Sequence, residues 1–166
     1  MTKKRVLIAN RGEIALRIIR SVKELDMEAI AVYSDVDADS LHVKRADESY
    51  YLGGSLPSES YRNIKKLIKA ITETKADMVH PGYGFLAENA DFAKAVQKKD
   101  VIWIGPSPET IKSMGDKIES RKLISKTGLN PVPGQLKPSR TKREATKDAG
   151  IFGYPVALKA AHGGGC

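Results

Sequence analysis

The sequence predicts an α/β fold organised on a parallel β-sheet with helices on both faces. Two observations predict it. Short continuous apolar runs alternate with stretches whose apolar residues recur every three or four positions, and glycine, proline or polar turns separate one from the next. Residues 5–9 form the first apolar run, a strand, and Ile14, Ile18, Val22 and Leu25 then mark the inner face of a helix. Residues 28–33 read as the second strand, 41–46 as a short helix, and 49–52 as a brief strand that stops at the Gly53-Gly54 turn. Ile64, Leu67, Ile68 and Ile71 mark another helix face, followed by a strand at 77–79, a helix at 90–97 and a strand at 101–104 that ends on Gly105-Pro106. Right-handed crossovers are expected throughout.

A second unit begins near Ser107. Residues 108–114 and 117–127 read as short helices, 128–138 as a connector rich in proline and glycine, and a further helix is centred on Ala145. Residues 154–160 then read as a strand that runs into His162, Gly163, Gly164 and Gly165. One strand and half a loop cannot close a domain. The expected organisation is therefore one α/β domain over residues 1–115 and the incomplete beginning of another over 116–166.

Composition limits the function classes. With 166 residues and 41% hydrophobic content the chain can bury a sizeable core without disulfide staples. Its single cysteine, Cys166, permits no internal disulfide, which fits a reducing compartment and makes the cytoplasm the expected location. No apolar run approaches the roughly 20 residues of a membrane-spanning helix. The basic residues at the start lead directly into a strand, without the apolar stretch of a secretory signal. The formal net charge of +8 raises the question of nucleic acid. However, Lys65, Lys66 and Lys69 lie on a helix, and Lys137, Arg140, Lys142, Arg143 and Lys147 lie in a polar loop and the next helix, without interleaved aromatic residues. A solvated surface is the expectation, with no nucleic-acid partner.

Four segments are candidates for chemistry. Glycines 163–165 follow a strand, so their backbone N–H groups are free to approach phosphate oxygens, and Lys159 adds a positive charge nearby. Read from glycine spacing alone, the same run equally suits a tight turn, and it lacks the Gly-Lys-Ser/Thr ending of a P-loop. The first strand-to-helix turn, Ala9-Asn10-Arg11-Gly12-Glu13, has one glycine where dinucleotide binders have three, which argues against NAD or FAD. There Asn10 or a neighbour is expected to cap the helix while Glu13 complements its dipole. The segment from His80 to Asn89 follows a strand at its carboxyl end, where open parallel sheets place ligands. Tyr83 and Phe85 offer flat faces, Gly84 a sharp backbone path and Glu88 a carboxylate, although His80 and Phe85 serve a packed core as well as a ligand. Lys117, at a helix start, taken alone is a surface lysine.

Taken in order, Ile8-Ala-Asn-Arg-Gly-Glu-Ile-Ala15, His80-Pro-Gly-Tyr-Gly-Phe-Leu-Ala-Glu-Asn89, Ile104-Gly-Pro106, Met114-Gly-Asp-Lys117 and Tyr154-Pro-Val-Ala-Leu-Lys159 resemble the biotin carboxylase family across nearly the whole chain. The resemblance implies a Rossmann-like pre-ATP-grasp domain followed by the start of an ATP-grasp domain. It implies an ATP-dependent ligase in which bicarbonate is activated by ATP as carboxyphosphate and the carboxyl group passes to biotin on a carrier protein, with Mg²⁺ assisting. Carried over by motif, Lys117, Lys159, His162, Gly163, Gly164 and Gly165 contact ATP, Tyr83, Gly84 and Phe85 line the biotin pocket, and Glu88 is a candidate catalytic group. Arg17, Arg20 and Glu24 fall where family members make homodimer contacts. A biotin carboxyl carrier protein or domain and a carboxyltransferase are the implied partners. The family's acidic Mg²⁺ ligands and bicarbonate-binding arginine and glutamate do not occur among these residues, so the chain alone is expected to be inactive and to be a truncated or fragmentary form of a longer enzyme. Another ATP-grasp ligase, or a non-catalytic interaction or dimerisation module, are the alternatives.

Overall fold

The computed structural model describes residues 2–115, 117–129, 132, 134–135 and 137–159, with the side chains of Lys117 and Glu119 excepted. The chain divides into two compact units, Met1–Pro108 and Glu109–Cys166. The first contains β1 (Arg5–Ile8), α1 (Gly12–Glu24), β2 (Glu28–Tyr33), α2 (Leu41–Arg45), β3 (Glu48–Tyr51), α3 (Ile64–Glu73), β4 (Met78–His80), α4 (Ala90–Gln97) and β5 (Ile102–Trp103). A single 3-10 turn, Asp35–Asp37, follows β2.

The five strands form one sheet in the order β3-β2-β1-β4-β5, and every pairing is parallel, as the alternation of strands and helices predicts. The central strands are apolar because both of their faces are covered: Val6, Leu7 and Ile8 of β1 and Ala29 to Val32 of β2 are all buried. On one face Val6 and Ile8 pack with Ala15, Ile18, Ile19 and Val22 of α1. Leu7 points the other way by the strand's two-residue period, toward the side supplied by Leu67, Ala70 and Ile71 of α3 and Phe92, Ala93 and Val96 of α4. The outer strands are short and wetter, with β3 largely exposed and Ile102 of β5 55% exposed, which limits edge-to-edge pairing.

The structure adjusts several sequence expectations. Leu25 is not on the inner face of α1 but is its C-cap and 67% exposed. Ala15 and Ile19 occupy the buried positions beside Ile18 and Val22, because a helix end leaves the sheet before its last apolar residue can reach it. Strand limits differ from those expected by one or two residues, as strand ends fray where their partners stop.

The second unit contains all but the first residue of α5 (Pro108–Gly115), together with α6 (Lys117–Lys126) and α7 (Lys142–Phe152). The strand expected at 154–160 is not formed at residues 154–159, which carry no ladder pairing and are exposed; Ala160 lies outside the described residues. Extended backbone becomes a strand only where a neighbour takes up its N–H and C=O groups, and every paired strand among the described residues belongs to the first unit. Helix α7 buries none of its residues, and Ile151, Tyr154 and Leu158 are each more than 70% exposed.

Candidate functional site

In the strand order 3-2-1-4-5 the chain winds outward in one direction from β1 and in the other from β4. The crevice beyond the carboxyl ends of β1 and β4 is thus the topological switch point, where open α/β sheets hold ligands. The register pairs Ile8 with His80, and Ala9 N–H donates to the His80 carbonyl at 2.9 Å, so the loops that leave these strands start side by side. One carries Asn10, Arg11 and Gly12. The other carries Pro81 to Asn89.

Asn10 joins the two. It is 3% exposed, and its amide nitrogen donates to the Pro81 carbonyl and to the Tyr83 carbonyl, both at 2.8 Å. Its side-chain oxygen accepts from the Arg11 N–H at 2.9 Å. Of the cap candidates the sequence offered, Asn10 or a neighbour, Asn10 therefore does not cap α1. The N-cap position is Arg11, which makes no side-chain cap bond, and the asparagine amide is committed across the switch point instead. Glu13 does lie in the first turn of α1. The Tyr83 hydroxyl donates to it, which lowers the Glu13 carboxyl below the usual range and raises the Tyr83 hydroxyl.

The Pro81 to Leu86 backbone is unusual. Gly82, Gly84 and Phe85 all have positive φ, at 66°, 67° and 44°. A Cβ on Gly82 would meet the Asn10 amide nitrogen at 2.8 Å, so glycine is needed there for space as well as conformation. At Gly84 nothing lies within 4 Å of such a Cβ, and only the backbone conformation asks for glycine. Phe85 has no such freedom, and its left-handed backbone persists only with outside support. That support is Tyr61, whose ring stacks on Phe85 at 5.2 Å between centroids and 10° between planes.

Tyr61 is itself fixed. It is 2% exposed, its hydroxyl donates to Asp37 at 2.7 Å, and it accepts from the Ser34 N–H at 3.1 Å. Asp37 also receives the Ser34 hydroxyl at 2.8 Å and Arg11 through Nε at 3.1 Å and Nη2 at 2.7 Å. Burial alone would raise the Asp37 carboxyl, but the bonds from Arg11, Tyr61 and Ser34 outweigh it and hold it below its ordinary value. Burial, then the bond to Asp37, pushes the Tyr61 hydroxyl up to about 12. His80, half-buried at the end of β4, accepts at Nδ1 from the Gly82 N–H at 3.0 Å, and burial lowers its pKa. It is thus a neutral ring supporting the turn.

Of the residues singled out from sequence, the structure brings Tyr83, Gly84 and Phe85 together at the switch point. Tyr83 is 61% exposed, Gly84 is exposed and Phe85 is half-buried. Glu88 is exposed farther along the same loop, just before the Asn89 cap of α4. Lys117 is the first residue of α6, with its side chain outside the described residues, and Lys159 is exposed after α7. His162, Gly163, Gly164 and Gly165 lie outside the described residues. On α1, Arg17, Arg20 and Glu24 are all exposed on one face. Sequence reasoning missed Asp37 and Tyr61. The Ser34-x-x-Asp37 spacing signals a local turn, whereas nothing in the sequence pointed to Tyr61 or Arg11 as partners.

Comparison with known proteins gives two family matches, "Biotin carboxylase, N-terminal domain" over residues 2–111 and "Carbamoyl-phosphate synthase L chain, ATP binding domain" over residues 116–166. The chain is 48% identical over 161 residues to biotin carboxylase 2 of Bacillus subtilis, covering 97% of this chain and 36% of that protein. It is 47% identical over 161 residues to the mitochondrial propionyl-CoA carboxylase alpha chain of Homo sapiens, covering 97% of this chain and 22% of that one. The biotin carboxylase domain dimer of the Hydrogenobacter thermophilus 2-oxoglutarate carboxylase, solved with MgADP, ADP and bicarbonate, superposes with a TM-score of 0.90 at 42% identity, over 99% of this chain and 36% of that one. The chain thus spans between about a fifth and just over a third of the length of these relatives.

Proposed function

This chain belongs to the biotin carboxylase family, and we propose from that premise that it supplies the N-terminal part of an ATP-dependent ligase that uses bicarbonate to carboxylate biotin on a carrier protein. The observation that carries the reading is the switch-point loop. An exposed tyrosine ring and a half-buried phenylalanine stand on a backbone already held in an uncommon conformation, at the position where this topology receives ligands. Tyr83, Gly84 and Phe85 are the residues we assign to the biotin pocket, with Glu88 beside it. The flat ureido ring of biotin suits an aromatic lining, and the loop's fixed backbone reduces the ordering cost of binding.

For ATP the assignment is Lys117, Lys159, His162, Gly163, Gly164 and Gly165, and it rests on motif and on the match of residues 116–166 to an ATP-binding domain. Amines and bare backbone N–H groups there would hold the phosphates and stabilise charge as it develops during phosphoryl transfer. Mg²⁺ would neutralise the phosphate oxygens when bound. We place the boundary between the two domains at residue 115, between the two matched segments. A carboxyltransferase and a homodimer partner meeting Arg17, Arg20 and Glu24 complete the proposed assembly. No helix among the described residues is long and apolar enough to cross a membrane. We propose a cytoplasmic location, testable by cell fractionation.

The test is a fusion in which these 166 residues replace the matching segment of the Bacillus subtilis relative. ADP release that requires bicarbonate and rises with free biotin supports the reading. ADP release that ignores biotin but requires an amine or amino acid favours a different ATP-grasp ligase, the reading to which the carbamoyl-phosphate synthase match gives weight. The 166-residue chain alone is expected to release no ADP in the same assay.

A further inference from the structure

The residues assigned to the biotin pocket do not hold themselves in place. Pro81 to Leu86 has few hydrogen bonds of its own, namely Gly82 N–H to His80 Nδ1 at 3.0 Å, Ala87 N–H to the Gly84 carbonyl at 2.9 Å and Asn89 N–H to the Leu86 carbonyl at 3.1 Å. Three positions of positive φ among the four residues 82–85, namely Gly82, Gly84 and Phe85, would not persist on those bonds alone. Asn10 supplies what is missing, because one buried amide group ties down the carbonyls on both sides of Gly82.

We infer that Asn10 is a positioning residue for this loop: its two N–H donors set the direction of Tyr83 and Phe85, and biotin affinity depends on them although Asn10 itself need not touch the ligand. The inference rests on the biotin reading of Tyr83 to Phe85. Three details support it. Both amide hydrogens and the side-chain oxygen are engaged, so the group has one orientation. The fit against Gly82 leaves no room even for a methyl group. The loop's two aromatic residues are each tied back to elements from the opposite half of the sheet, Tyr83 to Glu13 of α1 and Phe85 to Tyr61.

The discriminating variant is Asn10→Asp. It retains the size of the side chain and the acceptor for the Arg11 N–H, but it turns an acceptor toward the Pro81 and Tyr83 carbonyls. In the 166-residue protein, amide exchange at Gly82, Ala87 and Asn89 is expected to quicken roughly ten- to thirty-fold, as two ordinary hydrogen bonds would give, while Trp103 fluorescence stays native. Asn10→Ala should do the same, and if neither variant folds, Asn10→Ser, with one donor, should give an intermediate effect. A residue that only fills space would show wild-type exchange in Asn10→Asp, and that result overturns the inference. In the fusion enzyme, Asn10→Asp is expected to raise the KM for biotin about ten-fold with the KM for ATP unchanged, consistent with the loss of one to two hydrogen bonds. Loosened exchange with an unaltered biotin KM, in a fusion that does respond to biotin, defeats the positioning role and leaves the functional reading standing. A wild-type fusion indifferent to biotin defeats the functional reading, and the inference that rests on it.

Discussion

Replacing Asp37 by alanine should cost this protein more stability than most single substitutions, and the structure indicates how much. The carboxylate is 3% exposed by residue and accepts from Arg11, Ser34 and Tyr61. Arg11 has a side chain that is 46% exposed, so it regains water when its partner is removed. Ser34 and Tyr61, at 1% and 2% exposed, do not. Two buried hydroxyls without an acceptor cost about 1–3 kcal/mol each, and losing one partner of a buried pair costs about 3–5 kcal/mol in comparable settings, so a loss of about 3–5 kcal/mol is expected. At this chain length that lowers the melting temperature by roughly 6–20 °C. Asp37→Asn retains shape and one acceptor oxygen and should lose about 1–2 kcal/mol. The assay is urea unfolding followed by Trp103, the sole tryptophan, which is 8% exposed and belongs to the same unit as Asp37. A loss below about 1 kcal/mol for Asp37→Ala, with an unchanged urea dependence, would refute the view that these groups act as one buried network.

Further outcomes follow from the same geometry. Burial lowers the pKa of both His42 and His80 below the usual 6.5. The unfolded chain therefore binds more protons than the folded one from about pH 6.5 downward to the lowered values, so stability is lost as pH drops across that window; His42→Leu should flatten the dependence in urea titrations at several pH values. Asp37 works in a lower window, because its depressed carboxyl contributes stability that is present above its ordinary value of 3.8 and is lost only as pH falls through the folded value. Gly82→Ala forces a methyl group against Asn10 at a φ of 66° and should cost about 2–3 kcal/mol. In an Asn10→Ala background the added cost should shrink to the backbone part, about 1 kcal/mol, which a double-mutant cycle measures. Gly105→Ala would bring a Cβ within 2.8 Å of Trp103 Nε1, breaking its 3.0 Å bond to the Pro106 carbonyl, and should shift tryptophan emission without unfolding the protein.

The sheet was legible because its signals are local. The apolar run of β1, the helical spacing of α1 and the glycine or proline after each strand state their own secondary structure, and a parallel sheet follows from their alternation. The loop after β4 was legible as a place, since a strand end followed by His80-Pro81-Gly82 must leave the sheet at its carboxyl edge. The ties that give the site its shape were not legible. Asn10 sits where a helix cap belongs, and only the 71-residue separation closed by its bond to Pro81 shows that it serves another loop. Asp37 and Tyr61 lie 24 residues apart in segments to which the sequence assigned neither a strand nor a helix. Residues 154–159 carry a strand's composition without its neighbour, and composition alone cannot supply the hydrogen bonds of a ladder.

The central claim is that the exposed aromatic loop at the switch point receives biotin. A crystal structure of the fusion enzyme grown with biotin and bicarbonate tests it most directly. The account predicts the ureido ring in contact with the Tyr83-Gly84-Phe85 segment and the Asn10 amide still bonded to the Pro81 and Tyr83 carbonyls. Biotin bound away from this loop, with Tyr83 and Phe85 facing empty solvent, would contradict it.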